Sequence, residues 1–66
     1  MTVTVNGQRC ELPDGATLAE LLERLDVPRI GVAVALDGAV APRTSWPDTA
    51  LRDGASVEVL TAAQGG

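Results

Sequence analysis

The chain has no histidine, lysine, tyrosine or phenylalanine, and only one cysteine and one tryptophan. Each absence removes a class of chemistry. Without histidine or lysine, most general acids and bases, the Schiff-base amine and the Cys–His pair are missing. A zinc site needs several Cys or His ligands, and one cysteine is too few. The same cysteine cannot close an internal disulfide. Five basic residues, all arginine, stand against nine acidic ones, a net charge of −4. That balance leaves no basic face for nucleic acid. No apolar run reaches the roughly 18 residues of a membrane span. Met1-Thr2-Val3-Thr4-Val5 lacks the basic and apolar regions of a signal peptide. The cytoplasm is therefore the expected location, with neither membrane nor nucleic acid as a partner.

With 66 residues, the chain has room for one domain. A domain near this size buries only about 60% of the surface that its unfolded chain exposes. Apolar residues make up 45% of it, too many for a disordered chain, but ten of them are alanine. Eight Leu and eight Val supply most of the remaining bulk. The expected core is thin and aliphatic.

Thr2-Val3-Thr4-Val5 alternates polar and β-branched apolar residues, which suits a half-buried strand. Asn6-Gly7 tolerates the positive φ angles of a type I′ hairpin turn. The return strand, Gln8 to Leu12, then sets Val5 opposite Gln8, Val3 opposite Cys10 and Met1 opposite Leu12. Opposed residues share a face, so Val3, Val5, Cys10 and Leu12 point to the core. Pro13-Asp14-Gly15 breaks the strand. Thr17-Leu18-Ala19-Glu20 matches a capping box, and Leu18, Leu21, Leu22 and Leu25 form one apolar stripe. Pro28 ends this helix of about nine residues, which is too short to stand alone and must lie on a sheet.

Gly31 to Leu36 is the third strand, with Val32, Val34 and Leu36 inward and Ala33 and Ala35 outward. Asp37-Gly38 is a second tight turn. Ala39-Val40-Ala41 is a short edge strand stopped by Pro42. Arg43 to Arg52 reads as irregular and holds Trp46. Asp53-Gly54 turns the chain into a last strand, Ser56 to Leu60. The order is β-β-α-β-β-β. The last strand needs a partner, and the first is the natural one, side by side and parallel. This α+β roll, a mixed sheet with one helix packed across it, resembles the β-grasp (ubiquitin-like) fold. The expected core is Val3, Val5, Leu12, Leu18, Leu21, Leu22, Leu25, Val32, Val34, Leu36, Val57 and Val59.

The end of the chain carries the chemistry. Residues 1–60 form the expected domain and 61–66 a flexible tail closing on Gly65-Gly66. From Leu60 the tail can reach about 20 Å at roughly 3.3 Å per residue. Two residues without Cβ make a thin peptide that can enter a narrow channel. A carboxylate presented in this way can be activated with ATP as a mixed anhydride and then transferred. A frayed terminus without function has the same composition.

Several motifs together resemble a known family: Asn6-Gly7, the Thr17-to-Leu22 helix start, Val32-Ala33-Val34-Ala35-Leu36-Asp37-Gly38, Pro42-Arg43 followed by Trp46, Leu51-Arg52-Asp53-Gly54, and the final Gly65-Gly66. The chain is similar throughout to the bacterial sulfur carriers of thiamine biosynthesis. The resemblance implies a protein that is a co-substrate of its partners rather than an enzyme, and that binds no cofactor itself. An activating enzyme akin to the ubiquitin-activating enzymes would use ATP to adenylate the Gly66 carboxylate. A sulfur donor, such as a cysteine desulfurase relay, would convert it to a thiocarboxylate, and thiazole synthase would accept the sulfur. Gly65 and Gln64 would give access to the reacting carbonyl.

Other residues divide between packing and recognition. Cys10 reads as a small buried hydrophobe rather than a relay thiol. Trp46 reads as packing over one end of the core, with an interface anchor as its other role. Arg43 and Arg52 could bind a partner's carboxylates, with solvated charge as the commoner outcome for such residues. Ala33, Ala35 and Leu60 form a flat face suited to docking. The small subunit of molybdopterin synthase, a conjugated modifier and a non-covalent β-grasp adapter are the alternative readings. Without lysine, the chain cannot build lysine-linked chains on itself.

Overall fold

The computed structural model describes residues 1–28 and 30–61. The tail residues Gln64, Gly65 and Gly66 lie outside the described residues. Five strands form one mixed sheet: β1 (Thr2–Val5), β2 (Gln8–Glu11), β3 (Val32–Leu36), β4 (Ala39–Val40) and β5 (Ser56–Thr61), in the spatial order β2-β1-β5-β3-β4. Among the described residues there is one α-helix, α1 (Leu18–Arg24), which packs on one side of it. The fold is the expected α+β β-grasp roll, with β1 and β5 parallel at its centre.

The first hairpin has the register that the two-residue turn dictates, Val3 opposite Cys10 and Val5 opposite Gln8. Asn6 and Gly7 have φ values of 50° and 84°, the left-handed pair that a type I′ turn requires. Met1 and Leu12 continue the pairing beyond the strand, with Leu12 N–H donating to Met1 C=O at 2.8 Å. Asp37 and Gly38 make the second such turn. It folds β4 onto β3, with Ala35 opposite Val40.

Both halves of the capping box form. Glu20 N–H donates to Thr17 Oγ1 at 3.2 Å, and Thr17 N–H donates to Glu20 Oε1 at 2.7 Å. The helix is shorter than its apolar stripe suggests, seven residues with Leu25 as C-cap. Asp26 adopts φ 58°. Its N–H donates to Glu23 C=O, and Val27 N–H donates to Leu22 C=O at 3.0 Å, the paired bonds of a Schellman motif. The helix therefore stops well before Pro28. Leu25 lies past its last turn and is 39% exposed, which corrects its expected place in the core.

Val3, Val5, Leu12, Leu18, Leu21, Leu22, Val34 and Val57 are buried as expected, while Val32, Leu36 and Val59 are half-buried against them. Cys10 faces the core but is also only half-buried, because β2 is a sheet edge. Ala16, Trp46, Leu51 and Ala55 complete the buried cluster. The segment after Pro42, expected to be irregular, instead opens with a 3₁₀ helix over Arg43–Asp48. Its neighbours brace the start of α1. Leu18 N–H, which has no partner within the helix, donates to Thr49 C=O at 2.8 Å, and Leu51 N–H donates to Ala16 C=O at 2.9 Å. Trp46 is buried, and its indole Nε1–H donates to Ala41 C=O at 2.8 Å.

Candidate functional site

The site follows from the position of β5. This strand runs through the middle of the sheet, between β1 and β3, and continues to Thr61, one residue further than expected. The last described residues therefore belong to a central strand. Antiparallel pairing with β3 holds its end, with Val34 opposite Val59, Ala33 opposite Leu60 and Val32 opposite Thr61. Alternation along β5 buries Val57 and turns Glu58 and Leu60 to the other side.

That outer face is the one that α1 leaves uncovered. Leu60 is 70% exposed beside its cross-strand partner Ala33. Ala35 lies two residues along from Ala33, between Glu58 on β5 and Val40 on β4. Val40 is 79% exposed. Ala33, Ala35, Val40, Glu58 and Leu60 line a shallow depression of about 80 Å³. The alanines make the floor flat, Val40 and Leu60 supply apolar bulk, and Glu58 is the ionisable member. An exposed apolar patch of this kind is a candidate protein-docking surface.

The structure separates the expected docking residues into two groups. Ala33, Ala35 and Leu60 share the outer face. Arg43 and Trp46 lie in the 3₁₀ helix, which packs with α1 on the opposite side of the sheet. Arg43 is exposed there, and the Trp46 side chain is part of the core. Sequence reasoning missed Val40. Its signal is the two-residue Asp37-Gly38 turn, which sets Val40 opposite Ala35 just as Asn6-Gly7 sets Val3 opposite Cys10. Among the described residues there is no group of three or more His, Cys, Asp or Glu side chains able to hold a metal ion. No described helix is long and apolar enough to cross a membrane.

Residues 3–66 match the model of the ThiS family. The chain belongs to the ThiS family. It is 32% identical over 66 residues to the sulfur carrier protein ThiS of Escherichia coli, covering the whole of both chains. It is 44% identical over 64 residues to the sulfur carrier protein ThiS of Thermus thermophilus, covering 97% of this chain and 98% of that one. The crystal structure of the thiamine biosynthesis protein ThiS from Geobacter metallireducens superposes with a TM-score of 0.83 at 35% identity, over the full length of both. The ThiS family match thus spans the β-grasp body, the outer face and the terminal glycines.

Proposed function

We propose that this chain is a sulfur carrier of thiamine biosynthesis whose working group is the carboxylate of Gly66. The observation that carries this reading is the family match, which runs to the final glycine. In the proposed cycle a partner enzyme uses ATP to adenylate the carboxylate, releasing pyrophosphate. The persulfide of a sulfur donor, for instance a cysteine desulfurase relay, then attacks the acyl carbon and AMP leaves. A second thiol cleaves the S–S bond of the resulting acyl disulfide, ending as a disulfide with the donor and freeing the thiocarboxylate. The thiocarboxylate delivers its sulfur to thiazole synthase. The glycyl carbonyl suits these steps because no Cβ hinders attack on it, and Gln64 and Gly65 lead it into the partner's channel.

The body serves recognition rather than catalysis. Activating enzyme and synthase engage the outer face at Ala33, Ala35 and Leu60 in turn, which calls for modest, transient interfaces. The composition supports this division, since a chain without histidine or lysine has few groups for proton transfer. The cytoplasm, where such partners work, is the proposed location. The thiamine-linked relatives favour this reading over the small subunit of molybdopterin synthase. Its test is the intact mass of the protein after incubation with ATP, a sulfur donor and the activating enzyme. Replacement of one oxygen by sulfur is expected. An unchanged mass in a system that thiolates a known ThiS would sink the proposal.

A further inference from the structure

The β1–β5 pairing at the centre of the sheet is short. Parallel pairing covers Thr4 with Ser56 and Val5 with Val57. Asn6 N–H adds one bond to Val57 C=O at 2.9 Å. The backbone then turns away through the left-handed residues Asn6 and Gly7. A longer β1 would next have bonded both backbone groups of Val59. The side chain of Asn6 takes that place. Its Oδ1 accepts from Val59 N–H at 2.8 Å, and its Nδ2 donates to Val59 C=O at 3.1 Å. A carboxamide is chemically a peptide group, so the ladder is extended by one step with no strand behind it.

We infer that Asn6 is a positioning residue for the carrier, clasping β5 at Val59 and fixing the direction of its last residues, Leu60 and Thr61. The inference rests on the sulfur-carrier reading above. Val59 lies directly before Leu60, the exposed apolar residue of the outer face, and two residues before the end of β5. With the clasp in place, Leu60 and Thr61 are already oriented when a partner arrives. Without it, part of the binding free energy goes into ordering them. Asparagine suits both demands of the position. It tolerates the left-handed backbone better than other side chains that have a Cβ, and its amide offers a donor and an acceptor at peptide spacing.

Two substitutions separate the clasp from the turn. Asn6→Gly keeps the turn geometry and removes both bonds. Asn6→Asp keeps the acceptor for Val59 N–H and loses the donor. Amide hydrogen exchange and steady-state adenylation by the activating enzyme are measured on the full chain. In Asn6→Gly, exchange at Val59 is expected to quicken on the order of 10-fold beyond any change at the core amides of Leu21 and Val34. The KM for the carrier should rise several-fold with kcat unchanged, as expected when uniform binding is lost. Asn6→Asp should retain most of the Val59 protection. Exchange at Val59 that merely tracks the core amides overturns the clasp. Faster local exchange with an unchanged KM overturns the positioning role. A wild-type chain that is not adenylated at all overturns the carrier reading and the positioning role with it, while the exchange data still decide whether the clasp exists.

Discussion

Leu22 and Leu25 are three residues apart on one apolar stripe, yet they carry different weight. Leu22 is 4% exposed within the core, and Leu25 is 39% exposed beyond the last turn of α1. Leu22→Ala is expected to cost about 2–5 kcal/mol, and Leu25→Ala less than about 2 kcal/mol, because a cavity forms only where the neighbours enclose the lost atoms. Urea denaturation followed by the fluorescence of Trp46 measures both; equal losses would contradict the burial. At this scale the regular elements were legible and the connections were not. Val3, Val34 and Leu21 declare themselves by the period of their strand or helix. Ala16, Leu51 and Ala55 lie outside any periodic element, so nothing in their spacing marks them as buried. Asn6 was readable as a turn residue, but its bonds to Val59 depend on a strand 53 positions later.

The elements of the chain are short and depend on their ends. Thr17 and Glu20 announced the start of α1 in the sequence, because the capping box is a local chemical pattern. The end was harder to see. Pro28 is a recognisable stop signal, but the helix finishes earlier, through the left-handed Asp26 and its Schellman bonds. Glycine is the usual residue there and adopts φ > 0 without a Cβ penalty. Asp26→Gly is therefore expected to raise stability, by up to about 1 kcal/mol. A lower midpoint in thermal or urea unfolding would show that the aspartate side chain contributes more than its backbone conformation costs. The 3₁₀ helix of Arg43–Asp48 was not legible, since a single turn or two of helix carries too few residues to show a period.

For the whole molecule, the parallel pairing of β1 and β5 organises the sheet. It places β5 at the centre, with helix and core on one side and a flat apolar face on the other. The sequence disclosed this arrangement because an unpaired last strand needs a partner and the first was available. It also indicated Ala33, Ala35 and Leu60 as one face, which the register of β3 with β5 brings together. Leu60→Arg changes that face without touching the core. It should weaken binding of the activating enzyme by about 10-fold or more, a cost of about 1.4 kcal/mol, while the unfolding midpoint stays nearly constant. Titration calorimetry against the enzyme checks this, and unchanged affinity would move the interface elsewhere.

The central claim, that the Gly66 carbonyl carries the sulfur, is tested most directly by deleting Gly66 and measuring thiocarboxylate formation by intact mass alongside the full chain. Deletion removes no described core side chain, so stability should change by less than about 0.5 kcal/mol. It shortens the reach of the chain by about 3.3 Å, and misplacing a reacting group by about 1 Å can already cost about 100-fold in rate. The shortened protein is expected to fold and to gain no sulfur under conditions in which the full chain is converted. Full conversion of the shortened chain, with sulfur passed on to the synthase, would contradict it.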